Sequence, residues 1–120
     1  MKAGTVTAEL VVLDERTPWG AVIEVSGEMD IFGVSRLRER LDAVLSQGAR
    51  NIVLDLGGIT FIDSVSLAAI VAARRRMGDE GRVVIATSHP YVLLILEAGG
   101  LDSVVEVYPS RDEAEAALTG

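Results

Sequence analysis

Residues 51–78 read NIVLDLGGITFIDSVSLAAIVAARRRMG, and two different periodicities meet inside them. The opening Asn51-Ile52-Val53-Leu54-Asp55-Leu56 is short, apolar and rich in β-branched side chains, the pattern of a strand buried on both faces. Gly57-Gly58 reads as the turn that ends it. Residues 64–77 contain neither Gly nor Pro and are rich in Ala, with Arg74, Arg75 and Arg76 placed before Gly78, where a helix dipole favours cations. This predicts a helix over 64–77. A buried strand that runs on into a helix is one step of an α/β fold, in which strands joined through helices lie parallel with right-handed crossovers.

The same alternation extends in both directions. Residues 8–14 and 21–28 are rich in Val, Ile and Leu, with Pro18 and Gly20 between them, which predicts an antiparallel opening hairpin. Val34, Leu37, Leu41, Val44 and Leu45 recur at helical spacing up to Gly48. Downstream, 82–86 reads as a strand, and 88–98 as a helix capped by Ser88, with Pro90 in its first turn and Gly99 at its end. A short strand over 104–107 and a helix begun by a Ser110/Glu113 capping box and running through Leu118 complete the order ββαβαβαβα. The expected architecture is a mixed sheet of about five strands, with a parallel core, an antiparallel N-terminal edge and about four helices. Leu67, Ile70, Val71 and Met77 are the side of the 64–77 helix expected to face the sheet.

Composition bounds the function. With 120 residues the chain has the size of one domain, expected over 1–120, and 49% hydrophobic with 24% charged residues is an ordinary globular balance. Eighteen Asp and Glu against eleven Lys and Arg give a net charge of -7, a field that opposes phosphate backbones and anionic lipid, so neither a nucleic-acid partner nor membrane insertion is expected. There is no cysteine, and the longest apolar run, Leu67 to Ala73, is far below the ~20 residues of a membrane span. The first residues lack the apolar stretch of a signal peptide, which makes the cytoplasm the expected compartment.

In an open parallel sheet, function gathers beyond the carboxyl ends of the strands, here Gly27 to Asp30, Gly57 to Asp63 and Thr87 to His89. No phosphate-binding glycine pattern occurs, so no nucleotide cofactor is expected. His89 has no evident catalytic partner and reads as structural; no metal site is expected. Asp55 and Asp63 lie toward one sheet end, yet a phosphoryl-accepting receiver needs a late lysine, and the only lysine is Lys2. The three arginines spread over about 200° of helical arc and read as a helix end rather than an anion site. Trp19, in the hairpin turn, reads as a cap over the core edge. What remains is Asp63-Ser64-Val65-Ser66 at a helix start. Asp63 is placed to cap, and the free amides and dipole of that end would tolerate a phosphoserine.

Taken in order, two motifs resemble the anti-sigma factor antagonist family, the STAS domains. Val25-Ser26-Gly27-Glu28-Met29-Asp30 is similar to the family's apolar-x-Gly-Glu-Leu-Asp, and Asp55-Leu56 followed by Phe61-Ile62-Asp63-Ser64 to its Asp-Leu-x5-Ile-Asp-Ser-x-Gly-Leu. Gly100-Leu101 matches a third recurrent pair, and the resemblance covers about Glu9 to Leu118, a single STAS-type domain. It implies a switch without catalytic activity: the unphosphorylated form binds an anti-sigma factor, often a serine kinase, and frees a sigma factor until a serine is phosphorylated. By motif position that serine is Ser64, and Asp30, Asp63, Val65 and Ser66 would share its partner-binding surface. Asp30→Arg is accordingly expected to weaken binding while changing stability by no more than about 0.5 kcal/mol. The chain departs from the pattern at Val65 and Ser66, where a small hydroxyl residue and then Gly are commoner. Ser66 is thereby a second hydroxyl in the same turn and a rival acceptor. Some relatives act without phosphorylation, as structural partners in transporter or signalling assemblies.

Overall fold

A computed structural model describes residues 10–119. Its elements follow the order β1 (Val11–Thr17), β2 (Gly20–Met29), α1 (Val34–Ser46), β3 (Asn51–Ile62), α2 (Ser64–Arg76), β4 (Arg82–Ala86), α3 (Pro90–Ala98), β5 (Glu106–Tyr108) and α4 (Arg111–Thr119). The five strands lie in the sheet in chain order, β1 antiparallel to β2 and all later pairs parallel.

Alternation along the central strands explains the layers. Ile23, Leu54 and Ile85 point to one face, and Val22, Val53 and Val84 to the other. The first face carries the main core, closed by Leu37, Leu41 and Val44 of α1, Leu67 and Ile70 of α2, and Val92 and Leu96 of α3. Three successive crossovers that all advance across the sheet in one direction must share a face if each is right-handed. Helix α4 covers the second, smaller core through Ala114, with Trp19 and Tyr108 packed at its margin. Among the described residues no helix is long and apolar enough to cross a membrane.

Several boundaries differ from expectation. Ala8 and Glu9 lie outside the described residues, and β1 continues past Asp14 to Thr17 in unbroken pairing with β2, while Asp14 and Glu15 meet cations at Arg40 of α1 and Arg111 of α4. Pro18 and Trp19 alone make the turn. The pair Gly57-Gly58 does not end β3. The strand runs on to Ile62, and its pairing with β2 slips between Glu24 and Ser26 and again between Gly27 and Glu28, each time leaving an extra residue on β3. A Cβ on Gly58 would stand 2.7 Å from the Cβ of Ser26, so the glycine marks close approach within the sheet. Asp55 therefore sits mid-strand, its carboxylate accepting from the Gly57 amide at 2.9 Å, some eight residues or about 20–25 Å from Asp63.

The cap of α3 is His89 rather than Ser88: its Nδ1 accepts from the Tyr91 amide at 3.2 Å. Val104 and Val105 precede β5, which pairs over Glu106, Val107 and Tyr108. Arg82 grips Glu106 through two hydrogen bonds of 2.7 and 2.8 Å, and these hold the Glu106 carboxyl below its ordinary range. The Gly100-Leu101 pair has a plain structural use. Gly100 takes a left-handed φ of 75° that lets the chain leave α3 and bury Leu101.

Candidate functional site

The parallel strands β2 and β3 end side by side, with Met29 paired to Ile62, and both side chains enter the main core. Each strand then gives way to a helix within a few residues. An aspartate governs each junction.

After β3, Asp63 is the N-cap of α2 in extended conformation, and its Oδ1 accepts from the Ser66 amide at 2.9 Å. The capping role expected of it is the one it plays. Ser64, at the first helical position, is exposed, and Val65 is half-buried. Ser66 turns inward and is 0% exposed. Its hydroxyl lies 2.9 Å from the Met29 carbonyl and 2.9 Å from Asp63 Oδ1, which ties the first turn of α2 to the end of β2. The two hydroxyls of this turn thus differ in kind: one faces solvent, and the other is a buried joint.

After β2, the Asp30 carboxylate is equally engaged. Its Oδ1 accepts from the amides of Phe32 at 3.0 Å and Gly33 at 3.1 Å, while its carbonyl accepts from Gly33 and, at 2.9 Å, from Val34. Asp30 is half-buried and holds the loop into α1, so it is not the free loop charge that sequence suggested. The residues it leaves exposed are apolar: Ile31 at 59% and Phe32 at 89%. Close by in the sheet, Phe61 of β3 stacks on Tyr91 of α3 with ring centroids 6.3 Å apart.

The structure therefore brings Asp30, Asp63, Ser64, Val65 and Ser66 to one end of the sheet, and it separates carboxylates that hold backbone from side chains on display. Sequence reasoning passed over Ile31 and Phe32. The available signal was an aspartate followed by two large apolar residues and Gly33, a turn pattern in which such side chains have no core to enter. Elsewhere the three arginines diverge, Arg74 to the Gly78 carbonyl and Arg76 to Asp42, as befits a helix end. Among the described residues no cluster of His, Cys, Asp or Glu could hold a metal ion.

Comparison with known proteins places the fold. The family model described as STAS domain matches residues 11–114. BtrV of Bordetella bronchiseptica, provisionally named an anti-sigma factor antagonist, is 29% identical over 95 residues, covering 78% of this chain and 82% of BtrV. The crystal structure of an anti-sigma factor antagonist from Mycobacterium paratuberculosis superposes with a TM-score of 0.89 at 26% identity, over 96% of this chain and 100% of that one. The Bacillus cell fate determinant SpoIIAA in its phosphorylated form shares the fold, with a TM-score of 0.69 at 22% identity over 89% and 98% of the two chains.

Proposed function

We propose that this chain, which belongs to the STAS domain family, works as an anti-sigma factor antagonist whose phosphoacceptor is Ser64. The observation that carries the reading is the contrast within one helical turn. Ser64 is exposed at the first position of α2, whereas the rival Ser66 is wholly buried with its hydroxyl committed to Met29 and Asp63. A kinase can reach the first without disturbing the fold; the second is reached only by opening the joint between β2 and α2.

In this reading the unphosphorylated surface binds an anti-sigma factor of the serine-kinase type in the cytoplasm, and a sigma factor is released. The γ-phosphoryl of ATP passes to the Ser64 oxygen as its hydroxyl proton is released to solvent, ADP leaves, and about -1.5 to -2 charges appear beside Asp63 and the Asp30 loop. A partner fitted to a neutral hydroxyl then meets bulk and repulsion, with no refolding required. Incubation with each serine-kinase anti-sigma factor of the same organism and ATP should place one phosphate on Ser64, located by phosphopeptide mass spectrometry. Ser64→Ala should stay unmodified and remain bound, and Ser64→Glu should bind poorly. Phosphate on Ser66 would overturn the assignment. Absence of modification on both serines, with Val65 and Ser66 standing where the family pattern is more permissive, would favour a STAS subunit that works unphosphorylated in a transporter or signalling assembly.

A further inference from the structure

We propose that Phe32 is the apolar anchor by which this chain docks on its anti-sigma partner, entering a pocket whose rim is cationic. The inference rests on the functional reading above and names the group and the chemistry of the grip. At 89% exposure Phe32 is the most exposed large apolar side chain among the described residues, and Ile31 beside it is 59% exposed. The fold does not require an aromatic ring there. The loop's hydrogen bonds are made by backbone amides to Asp30, and any side chain at position 32 except proline would leave them intact.

The ring is nevertheless presented on a rigid mount. Asp30 holds the amides of Phe32, Gly33 and Val34. Behind the loop, Gly33 packs so closely that a Cβ on it would stand 3.0 Å from Leu10. Ahead of it, the Met29 carbonyl is fastened to Ser66. The ordering entropy of this loop is lost on folding rather than on binding, which is the condition under which a single aromatic contributes most to affinity. Aromatic side chains are also the residues enriched in interface cores.

Charge selects the occupant. Residues 26–35 and 61–66, which form this end of the sheet, carry Glu28, Asp30 and Asp63 and no Lys or Arg, the neighbouring Arg36 of α1 donates to the Leu10 carbonyl behind the loop, and the whole chain is at -7. A second copy or an anionic membrane would meet like charge at this surface, whereas a partner pocket rimmed with Lys or Arg would be complementary.

Titration calorimetry of the wild-type chain and Phe32→Ala against the purified serine-kinase anti-sigma factors of the same organism tests the proposal. Phe32→Ala should weaken Kd at least 30-fold, about 2 kcal/mol, with an unchanged Tm, since the ring touches no core. Wild-type binding that Phe32→Ala retains within threefold would overturn the anchor and leave the functional reading standing. Failure of the wild type to bind any of these kinases would overturn both. Sedimentation velocity of the chain alone should show a monomer; a dimer abolished by Phe32→Ala would assign the ring to a second copy and overturn the proposal.

Discussion

The β2–α1 and β3–α2 junctions stand side by side on one plan, yet they present opposite chemistries. In both, an aspartate turns its carboxylate back on the following amides, Asp30 on Phe32 and Gly33, Asp63 on Ser66. Asp63 is itself the cap, so the next residue, Ser64, is already helical and lies at the positive end of α2. Asp30 stands three residues ahead of Gly33, the cap of α1, and the short loop between them, tied by its amides to Asp30, carries Phe32 outward. Shifting the carboxylate by three positions relative to the helix start thus changes what is displayed, from a hydroxyl beside a dipole to a bare ring. The motif aspartates are scaffold at both junctions, and the groups on display are those of their neighbours.

The severest way to break the comparison is to remove the floor beneath the second junction. Leu67→Asp or Ile70→Asp would bury an unpaired charge between α2 and the sheet and should cost about 3 kcal/mol or more, enough to unfold the domain or lower its Tm by many degrees. A retained Tm would mean that α2 is not seated as described. A milder variant dissolves only the link between the junctions. Ser66→Ala leaves the buried Met29 carbonyl without its side-chain donor and should cost about 1–3 kcal/mol in denaturant unfolding. A change near zero would show that the joint carries no tension between the two loops.

The smallest effects sharpen the contrast between the aspartates. Asp63→Ala should cost about 1 kcal/mol as the loss of a helix cap, and Asp30→Ala about 0.5–1 kcal/mol, because water can reach the exposed Phe32 amide. Asp30→Arg belongs with Asp30→Ala and not among neutral surface changes. Equal stability of wild type and both alanine variants in urea would remove the scaffold role from both aspartates.

These distinctions mark how far the sequence could be read. Helix α2 and its cap were legible because Asp63, the Ala-rich run and the final arginines act within a few residues of one another. The layer pattern was legible in Val53 and Leu54, apolar on both faces of a central strand. Gly57-Gly58 misled, since a glycine pair that allows a bulge is chemically the same as one that allows a turn, and only the opposing Ser26 decides between them. Ser88 and His89 are both competent caps, and the choice falls to the backbone leading into Pro90. The burial of Ser66 depends on Met29, 37 residues away, and no local pattern reports a partner at that distance.

Sheets with parallel cores are ordinarily slow to assemble, because each pairing closes a long loop before any contact rewards it. The strict chain order of the strands softens that difficulty here. Every strand pairs with its sequence neighbour, so each closure spans either the two-residue hairpin turn or one helix and its turns and never reaches across an intervening strand. The Ser66 joint spans 37 residues, from the end of β2 through α1 and β3, and so closes within a single crossover unit. The end of the sheet that carries the proposed phosphoacceptor is therefore made of contacts local to the first two parallel strands and their helices, and β4, α3, β5 and α4 extend the sheet beside it.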